Sequence, residues 1–389
     1  MKIGIDVRCL GEGRRTGVEE YTLNLLRNIF ETNKENEYIL FFNSFRPAKA
    51  DFSWLKKYEN VKLKKFNYPN KLLNFLFWYF AWPKIDQMIG GADLIFMPNI
   101  IFGSVSKKTR LIVTVHDLSF ERYPETFSVK RRFWHIFINP KKICERADKI
   151  ITVSESSKND IMDLYGITAK KIKVIYSGVS DRFKAISRND GNLIRVKEKY
   201  QLPYKFILYL GTIEPRKNIK GIIRAYGQLR KDVAGDEKLK ELLDYKLVIA
   251  GSVGWLSVKI FSEIEKSEFR DNIKVINFVD DVDKEFVFNL ASLFIYPSFF
   301  EGFGFPVLEA MSCGVPVVTS NSSSLPEIAG DAAILVDPDK PQEICDAMKD
   351  VLINGELRSK LIERGLVRSK EFSWQKTARL TLGVLTRQK

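Results

Sequence analysis

Two glutamates stand eight residues apart in the run Pro297-Ser-Phe-Phe-Glu301-Gly-Phe-Gly-Phe-Pro-Val-Leu-Glu309-Ala-Met-Ser-Cys-Gly-Val-Pro316. A carboxylate accepts hydrogen bonds from two vicinal hydroxyls at once, which suits it to holding a ribose or hexose ring. The run follows a strand-like segment ending at Tyr296, turns on glycines and enters a helix near Gly304, so free backbone N–H groups at the helix start make a cradle for an anion or a sugar. Taken alone, the two residues read equally as a solvated loop acid and a helix-start glutamate favoured by the macrodipole.

A second candidate is Tyr209-Leu-Gly211-Thr-Ile-Glu-Pro-Arg216-Lys217-Asn218, where adjacent Arg and Lys sit between a strand and a helix. A forked guanidinium and a point-charged ammonium at a helix start can neutralise a diphosphate, although a basic pair after a turn is usually plain surface charge. His116, one of two histidines, ends a strand in Val113-Thr-Val-His116-Asp117 and is otherwise a packing or capping residue; His135 reads as packing. The loop Gly11-Glu-Gly-Arg-Arg-Thr-Gly17 lacks both the dinucleotide glycine spacing and the Lys-Ser/Thr of a P-loop. Asp280, Asp281 and Asp283 precede a helix, so capping and dipole compensation explain them better than a metal does.

The Glu301 to Glu309 run, with its flanking Gly-Phe-Gly, Ala-Met-x-Cys-Gly and Pro, resembles the E-x7-E signature of the family-4 glycosyltransferases, and the likeness extends over nearly the whole chain. The resemblance implies a GT-B fold, retention of anomeric configuration and no covalent enzyme intermediate, the departing phosphate helping to deprotonate the acceptor. Carried over, Glu301 contacts the donor sugar, Glu309 holds the ribose, and the backbone at Gly302, Phe303 and Gly304 approaches sugar and phosphates. Arg216 and Lys217 grip the leaving diphosphate, His116 reaches the transferred sugar or acceptor hydroxyl, and Gly17 belongs to a loop meeting the donor phosphates. The family often has two consecutive glycines there; this chain has Thr16-Gly17. Ser154 also matches, though a helix N-cap explains it equally.

These side chains need rigid elements to hold them. Apolar runs at Lys2–Val7, Tyr38–Phe42, Leu94–Met97, Arg110–Val115, Lys149–Val153 and Lys173–Ile175 alternate with helix-period segments. The pattern then restarts at Phe206–Leu210, Lys246–Ala250, Ile273–Phe278, Leu293–Tyr296 and Val315–Thr319. Two α/β series predict two doubly wound, Rossmann-like domains; the resemblance to the family implies an active site in the cleft between them. The domains are placed at 1–185 and 200–373, with Ser180–Pro203 as the join, and the resemblance implies that the first binds the acceptor and the second the donor. A C-terminal helix, 374–389, is expected to pack back on the first domain.

The 389 residues carry a formal charge of +14, of which +11 falls in 1–180 (30 basic, 19 acidic). A cationic first half suits an anionic partner. Within it, the aromatic run Lys71–Trp82 follows Lys56, Lys57, Lys62, Lys64 and Lys65; it reads either as a membrane-docking patch over 56–82 or as a buried helix after a basic loop. No apolar run reaches the roughly 18–20 residues of a membrane span, and no signal peptide is evident. Four scattered cysteines suit a reducing compartment and no Cys/His zinc site. A cytoplasmic protein is expected, peripheral at the inner face of the plasma membrane.

Neither metal nor other cofactor is expected; the partners are a nucleotide-sugar donor and a lipid-linked or glycan acceptor, with no nucleic acid. Likeness to mannosyltransferases of surface-glycan assembly points to GDP-mannose, with a UDP-hexose as the alternative. The rivals from other classes are a nucleotide-sugar epimerase of the same fold and a basic nucleic-acid-binding protein, the latter lacking any recognised module.

Overall fold

Strands covered on both faces by helices must be apolar on both faces, and the central strands here are buried along nearly their whole length. The computed structural model describes residues 1–12, 16–45 and 50–387, so residues 13–15 of the glycine loop and 388–389 of the C-terminal segment lie outside the described residues.

The first unit comprises Met1–Leu118, Val129–Gly178 and Ser373–Lys389. Its strands are β1 (Lys2–Asp6), β2 (Glu37–Asn43), β3 (Val61–Phe66), β4 (Leu94–Met97), β5 (Arg110–Val115), β6 (Lys149–Thr152) and β7 (Ile172–Val174). They form one sheet in the order β3-β2-β1-β4-β5-β6-β7 with parallel pairings. The second unit, Ser119–Ser128 with Val179–Phe372, holds β8 (Phe206–Leu210), β9 (Lys246–Ala250), β10 (Ile273–Ile276), β11 (Leu293–Tyr296), β12 (Val317–Ser320) and β13 (Ile334–Val336). Their order is β10-β9-β8-β11-β12-β13, again parallel. Each sheet is therefore doubly wound, as the alternation of runs predicts.

Strand order fixes where chemistry can occur. In the second sheet the chain winds outward from β8 to β10, then returns to place β11 on the other side of β8. Loops leaving the carboxyl ends of β8 and β11 therefore start side by side at the switch point, where open α/β sheets bind their ligands. In the first sheet the same reversal falls between β1 and β4.

Four features differ from the sequence reading. The lysine-rich 61–66 is not loop but the edge strand β3, on which lysines discourage pairing with another chain. The three-residue β13 is too short to show a period. Residues 179–199 belong to the second unit because helix Gly191–Lys199 anchors there: Arg195 and Lys199 reach the buried Asp283 at 2.9 and 2.6 Å. That engagement, with the Tyr200 hydroxyl donating at 2.9 Å, replaces the capping role expected of Asp283. Finally, Ser119–Ser128 joins the second unit, where the Trp255 indole donates to the Thr126 carbonyl at 2.6 Å and stacks on Phe127.

The C-terminal helix Trp374–Thr386 lies against helix Gly17–Thr32, with Trp374 beside Tyr21 at 6.0 Å and the Thr377 hydroxyl donating to the Tyr176 carbonyl at 2.8 Å. Gly178 is required at this junction, since a Cβ there would collide with the Trp374 backbone. Among the described residues no helix is long and apolar enough to cross a membrane.

Candidate active site

The loop leaving β8 closes into a short turn, Pro215–Lys217, and ends at Asn218, whose φ of 55° and side chain cap helix Ile219–Ala234. The Asn218 amide group also donates to the Pro338 carbonyl at 2.6 Å, so the turn is held from two sides. The loop leaving β11 runs alongside, and the Phe299 N–H donates to the Arg216 carbonyl at 3.0 Å. Backbone pairing thus brings Arg216, Lys217 and Glu301 together although 84 residues separate Lys217 from Glu301.

Their side chains meet directly. Lys217 Nζ donates to Glu301 Oε1 at 2.5 Å and to the Tyr296 hydroxyl at 2.7 Å. Arg216 Nη1 donates to Glu301 Oε2 at 3.3 Å and to the Phe300 carbonyl at 2.7 Å, while Nη2 reaches Glu214 Oε1 at 2.8 Å. All four charged side chains are almost fully buried. The sequence reading has a cationic pair; the structure has a neutral quartet of two cations and two carboxylates, with Glu214 unforeseen. Removing charge from water is costly, and only mutual pairing with satisfied hydrogen bonds offsets it.

Electrostatics follow from that packing. Burial pushes the Glu301 carboxyl upward, but the Lys217 and Arg216 charges outweigh it and hold the group at about 2. Burial draws Lys217 below the ordinary lysine range against the pull of Glu301. Two of the three ammonium hydrogens are engaged by Tyr296 and Glu301, which leaves one for a ligand oxygen. Tyr296 is itself held by stacking on Tyr209, 5.9 Å away at the end of β8.

The turn after Glu301 is held as firmly. The Ser323 hydroxyl accepts from the Glu301 N–H at 2.8 Å, and the Ser324 hydroxyl donates to the carbonyls of Glu301 and Phe303 at 2.9 and 2.8 Å. Gly304 takes φ 111° as the cap of helix Phe305–Ser312, where a Cβ would lie 2.8 Å from the Leu325 side chain. Gly302, Phe303 and Gly304 are buried, and Glu309, at the fifth position of that helix, is buried too. Tyr296, Ser323 and Ser324 escape a sequence reading because nothing in their spacing marks them. Glu214 carried a signal: an acid two residues before an arginine.

His116 and Gly17 are in the first unit, near its own switch point. His116 Nε2 lies 2.9 Å from the Pro98 carbonyl, which can only accept, so Nε2 carries the hydrogen. Burial lowers its pKa, so the ring is neutral and Nδ1 is the acceptor. Its edge meets Tyr21 at 4.7 Å, and its carbonyl accepts from the Ser157 hydroxyl at 2.7 Å. Ser157 is in turn bound to Ser154, the N-cap of helix Glu155–Tyr165. Gly17 is the first residue of helix Gly17–Thr32, behind a capping box: Glu19 N–H donates to the Thr16 hydroxyl at 3.4 Å and Thr16 N–H to Glu19 Oε2 at 3.0 Å. Thr16 in place of glycine is thus accounted for locally. Also at the end of β1, and absent from the sequence reading, is a buried pair of Arg8 and Asp6 at 2.6 Å.

Among the described residues no three His, Cys, Asp or Glu side chains gather as a metal site. The acids best suited by spacing are committed elsewhere, Asp281 to Arg182 at 2.8 Å and Asp283 to Lys199 and Arg195.

Doubly wound sheets bind their ligands outside the carboxyl ends of the strands at the switch point, which is where the charged cluster of the second unit lies. Residues 192–368 match the glycosyl transferases group 1 model and residues 15–183 match glycosyltransferase family 4. The chain is 35% identical to O-antigen chain mannosyltransferase B of Escherichia coli over 70% of its own length and 69% of the relative's. Against the serotype-specific mannosyltransferase WbdA of Escherichia coli it is 32% identical over 72% of its length, spanning about a third of that longer protein. A third relative, the N-acetylgalactosamine-N,N'-diacetylbacillosaminyl-diphospho-undecaprenol 4-alpha-N-acetylgalactosaminyltransferase of Campylobacter jejuni, is 26% identical over 99% of both chains. Among crystal structures, Anabaena Alr3699/HepE in complex with UDP and glucose aligns over 100% of both chains with a TM-score of 0.72 and 17% identity, and shares the fold. The lipopolysaccharide-biosynthesis glycosyltransferase WaaG does so over 99% of this chain and 100% of its own, at 0.72 and 15%. The chain belongs to the family-4 glycosyltransferases of GT-B fold, and it is a glycosyltransferase.

Proposed function

We propose that this enzyme transfers mannose from GDP-mannose to a lipid-linked or oligosaccharide acceptor in surface-polysaccharide assembly, with retention of configuration and without a metal or other cofactor. The names of the mannosyltransferase relatives support the sugar and the setting. The observation that carries the chemistry is the buried Arg216–Glu301–Lys217 contact at the β8/β11 switch point.

In this reading the acceptor O–H attacks the anomeric carbon as the bond from that carbon to the diphosphate oxygen breaks. The departing phosphate takes the acceptor proton, and GDP leaves. Negative charge grows on the leaving oxygen, where Arg216 and Lys217 are already fixed and largely dry, so their stabilisation needs little reorganisation. Glu301 orients both cations and accepts from sugar hydroxyls; Glu309 accepts from the ribose. Neutral His116 offers an acceptor nitrogen on the acceptor side. Within the second unit the backbone at Gly302, Phe303 and Gly304 completes the donor contacts. The acceptor chemistry places the reaction at the inner face of a membrane.

Thermal stabilisation by GDP, UDP and ADP tests the donor, since a ligand at 100 times its dissociation constant adds about 2.7 kcal/mol. GDP should stabilise most and Glu309→Ala should abolish the effect; preference for UDP would install the UDP-hexose alternative. Transfer of labelled mannose to a lipid fraction separates a transferase of this specificity from an epimerase. DNA binding stronger than binding to anionic liposomes would instead favour the nucleic-acid reading.

A further inference from the structure

Helix Val129–Ile138 has an apolar side and almost no core to place it in: of its ten residues only Ile138 is buried. Val129, Phe133, Trp134, Ile136 and Phe137 are between 40% and 68% exposed. A second segment of the same unit behaves alike. From Asn70 to Trp82 only Leu73 and Phe77 enter the core, while Phe75, Trp78, Tyr79, Phe80 and Trp82 are 46–65% exposed. Trp78 meets Phe137 edge to face at 5.2 Å, so the two segments form one continuous aromatic surface. A patch of this kind on a water-exposed face marks an interaction site.

Charge selects the occupant. Residues 68–82 and 128–142 contain no Asp or Glu, yet carry Lys71, Lys130, Arg131, Arg132, Lys141 and Lys142, every one exposed. Asp117 acts on His135 of this helix, but the exposed charges that flank the rings along both segments are cationic. Aromatic rings flanked by cations complement anionic headgroups, whereas a protein partner is ordinarily met by charges of both signs. Of the lysines at 56–65, Lys57 is paired with Glu31 and Lys62 with Glu37.

We propose that 70–82 and 129–138 together dock the first unit onto an anionic lipid bilayer, with the Trp and Tyr rings at the headgroup boundary and the Phe and Ile side chains below it. This deepens the reading of a lipid-linked acceptor and rests on that reading for its purpose, but it is measured without donor or acceptor.

The full chain is sedimented with vesicles of phosphatidylcholine alone and of phosphatidylcholine mixed with phosphatidylglycerol. Binding should be at least tenfold tighter to the anionic vesicles, and acyl-brominated lipid should quench fluorescence from Trp78, Trp82 and Trp134. The double variant Phe80→Ser/Ile136→Ser and the charge variant Lys130→Glu/Arg132→Glu alter exposed side chains, so both should fold as judged by thermal melting, and both should bind at least tenfold more weakly. Unchanged vesicle binding by the variants, or no quenching in the parent, overturns the proposal. So does a concentration-dependent dimer abolished by Phe80→Ser/Ile136→Ser in a chain that ignores vesicles, which would assign the surface to a second copy. Nucleotide stabilisation is read on the same samples: its loss with vesicle binding intact defeats the donor reading alone, and the converse defeats the docking surface alone.

Discussion

Lys217 Nζ and Glu301 Oε1 lie 2.5 Å apart on loops that leave adjacent parallel strands, both side chains nearly sealed from water. A buried ion pair contributes little net stability over an apolar substitute, but breaking one partner leaves a charge stranded. The pair therefore reads as a fixture of the reaction whose loss is also felt by the fold.

Replacing Glu301 separates the two roles. Glu301→Ala should lower stability by about 3–5 kcal/mol, because buried Lys217 and Arg216 both lose the carboxylate they donate to. Glu301→Gln keeps the shape and hydrogen-bond reach, so turnover should fall further than stability. Urea unfolding and steady-state transfer rates check the two; a Gln variant with full turnover would remove Glu301 from the chemistry.

Arg216→Gln and Lys217→Met should each lower kcat by about 10²-fold or more while changing nucleotide affinity less, since their main work falls on charge that develops as the diphosphate leaves. Full turnover by the Arg216/Lys217 double variant would defeat the mechanism.

The acid limb of stability has a sign that follows from Glu301. Its carboxyl is held at about 2 in the folded chain against an ordinary 4.5, so its stabilising contribution is complete above the ordinary value. That contribution should fade as pH falls from there toward the folded value, because the unfolded chain takes up the proton first. Chemical unfolding across this acid range should show a shallower decline in Glu301→Gln than in the parent; identical slopes would contradict the assignment.

His116 bears on activity over a different range. Burial lowers its pKa, so the neutral ring should persist below the usual histidine titration, and kcat should lack a histidine-type fall near its ordinary value of 6.5. A drop there that His116→Gln removes would show that the ring is more exposed to protons than its packing indicates.

Gly304→Ala tests the cradle. The position has φ 111°, which strains any L side chain, and a Cβ there would press on the end of the Leu325 side chain at 2.8 Å, so the variant should lose more than about 1 kcal/mol and weaken nucleotide binding as the turn after Glu301 shifts. Equal stability would mean that the turn relaxes without loss.

Much of this was legible in the chain itself. Buried parallel strands need apolar runs on both faces, so Phe206–Leu210 and Leu293–Tyr296 announce themselves. The Glu301 and Arg216–Lys217 runs are marked by side-chain type and by their place after those strands. The capping box at Thr16 and Glu19 is also legible in the chain, as a Thr three residues ahead of a Glu. Edge strand β3 was hidden because lysines suit an exposed edge and a loop equally.

Other features depend on what meets across sequence distance. That the cations are matched by Glu214 and Glu301, so that a positive site becomes a neutral quartet, follows from packing two loops against each other. The aromatic run Lys71–Trp82 is ambiguous between core and surface in the sequence; only the folded first unit shows that it meets the rings of 129–138 and that both face outward. Local order along a chain sets periodicity and residue type, whereas burial and charge compensation are properties of neighbours, and those neighbours are assigned by the winding of the sheets.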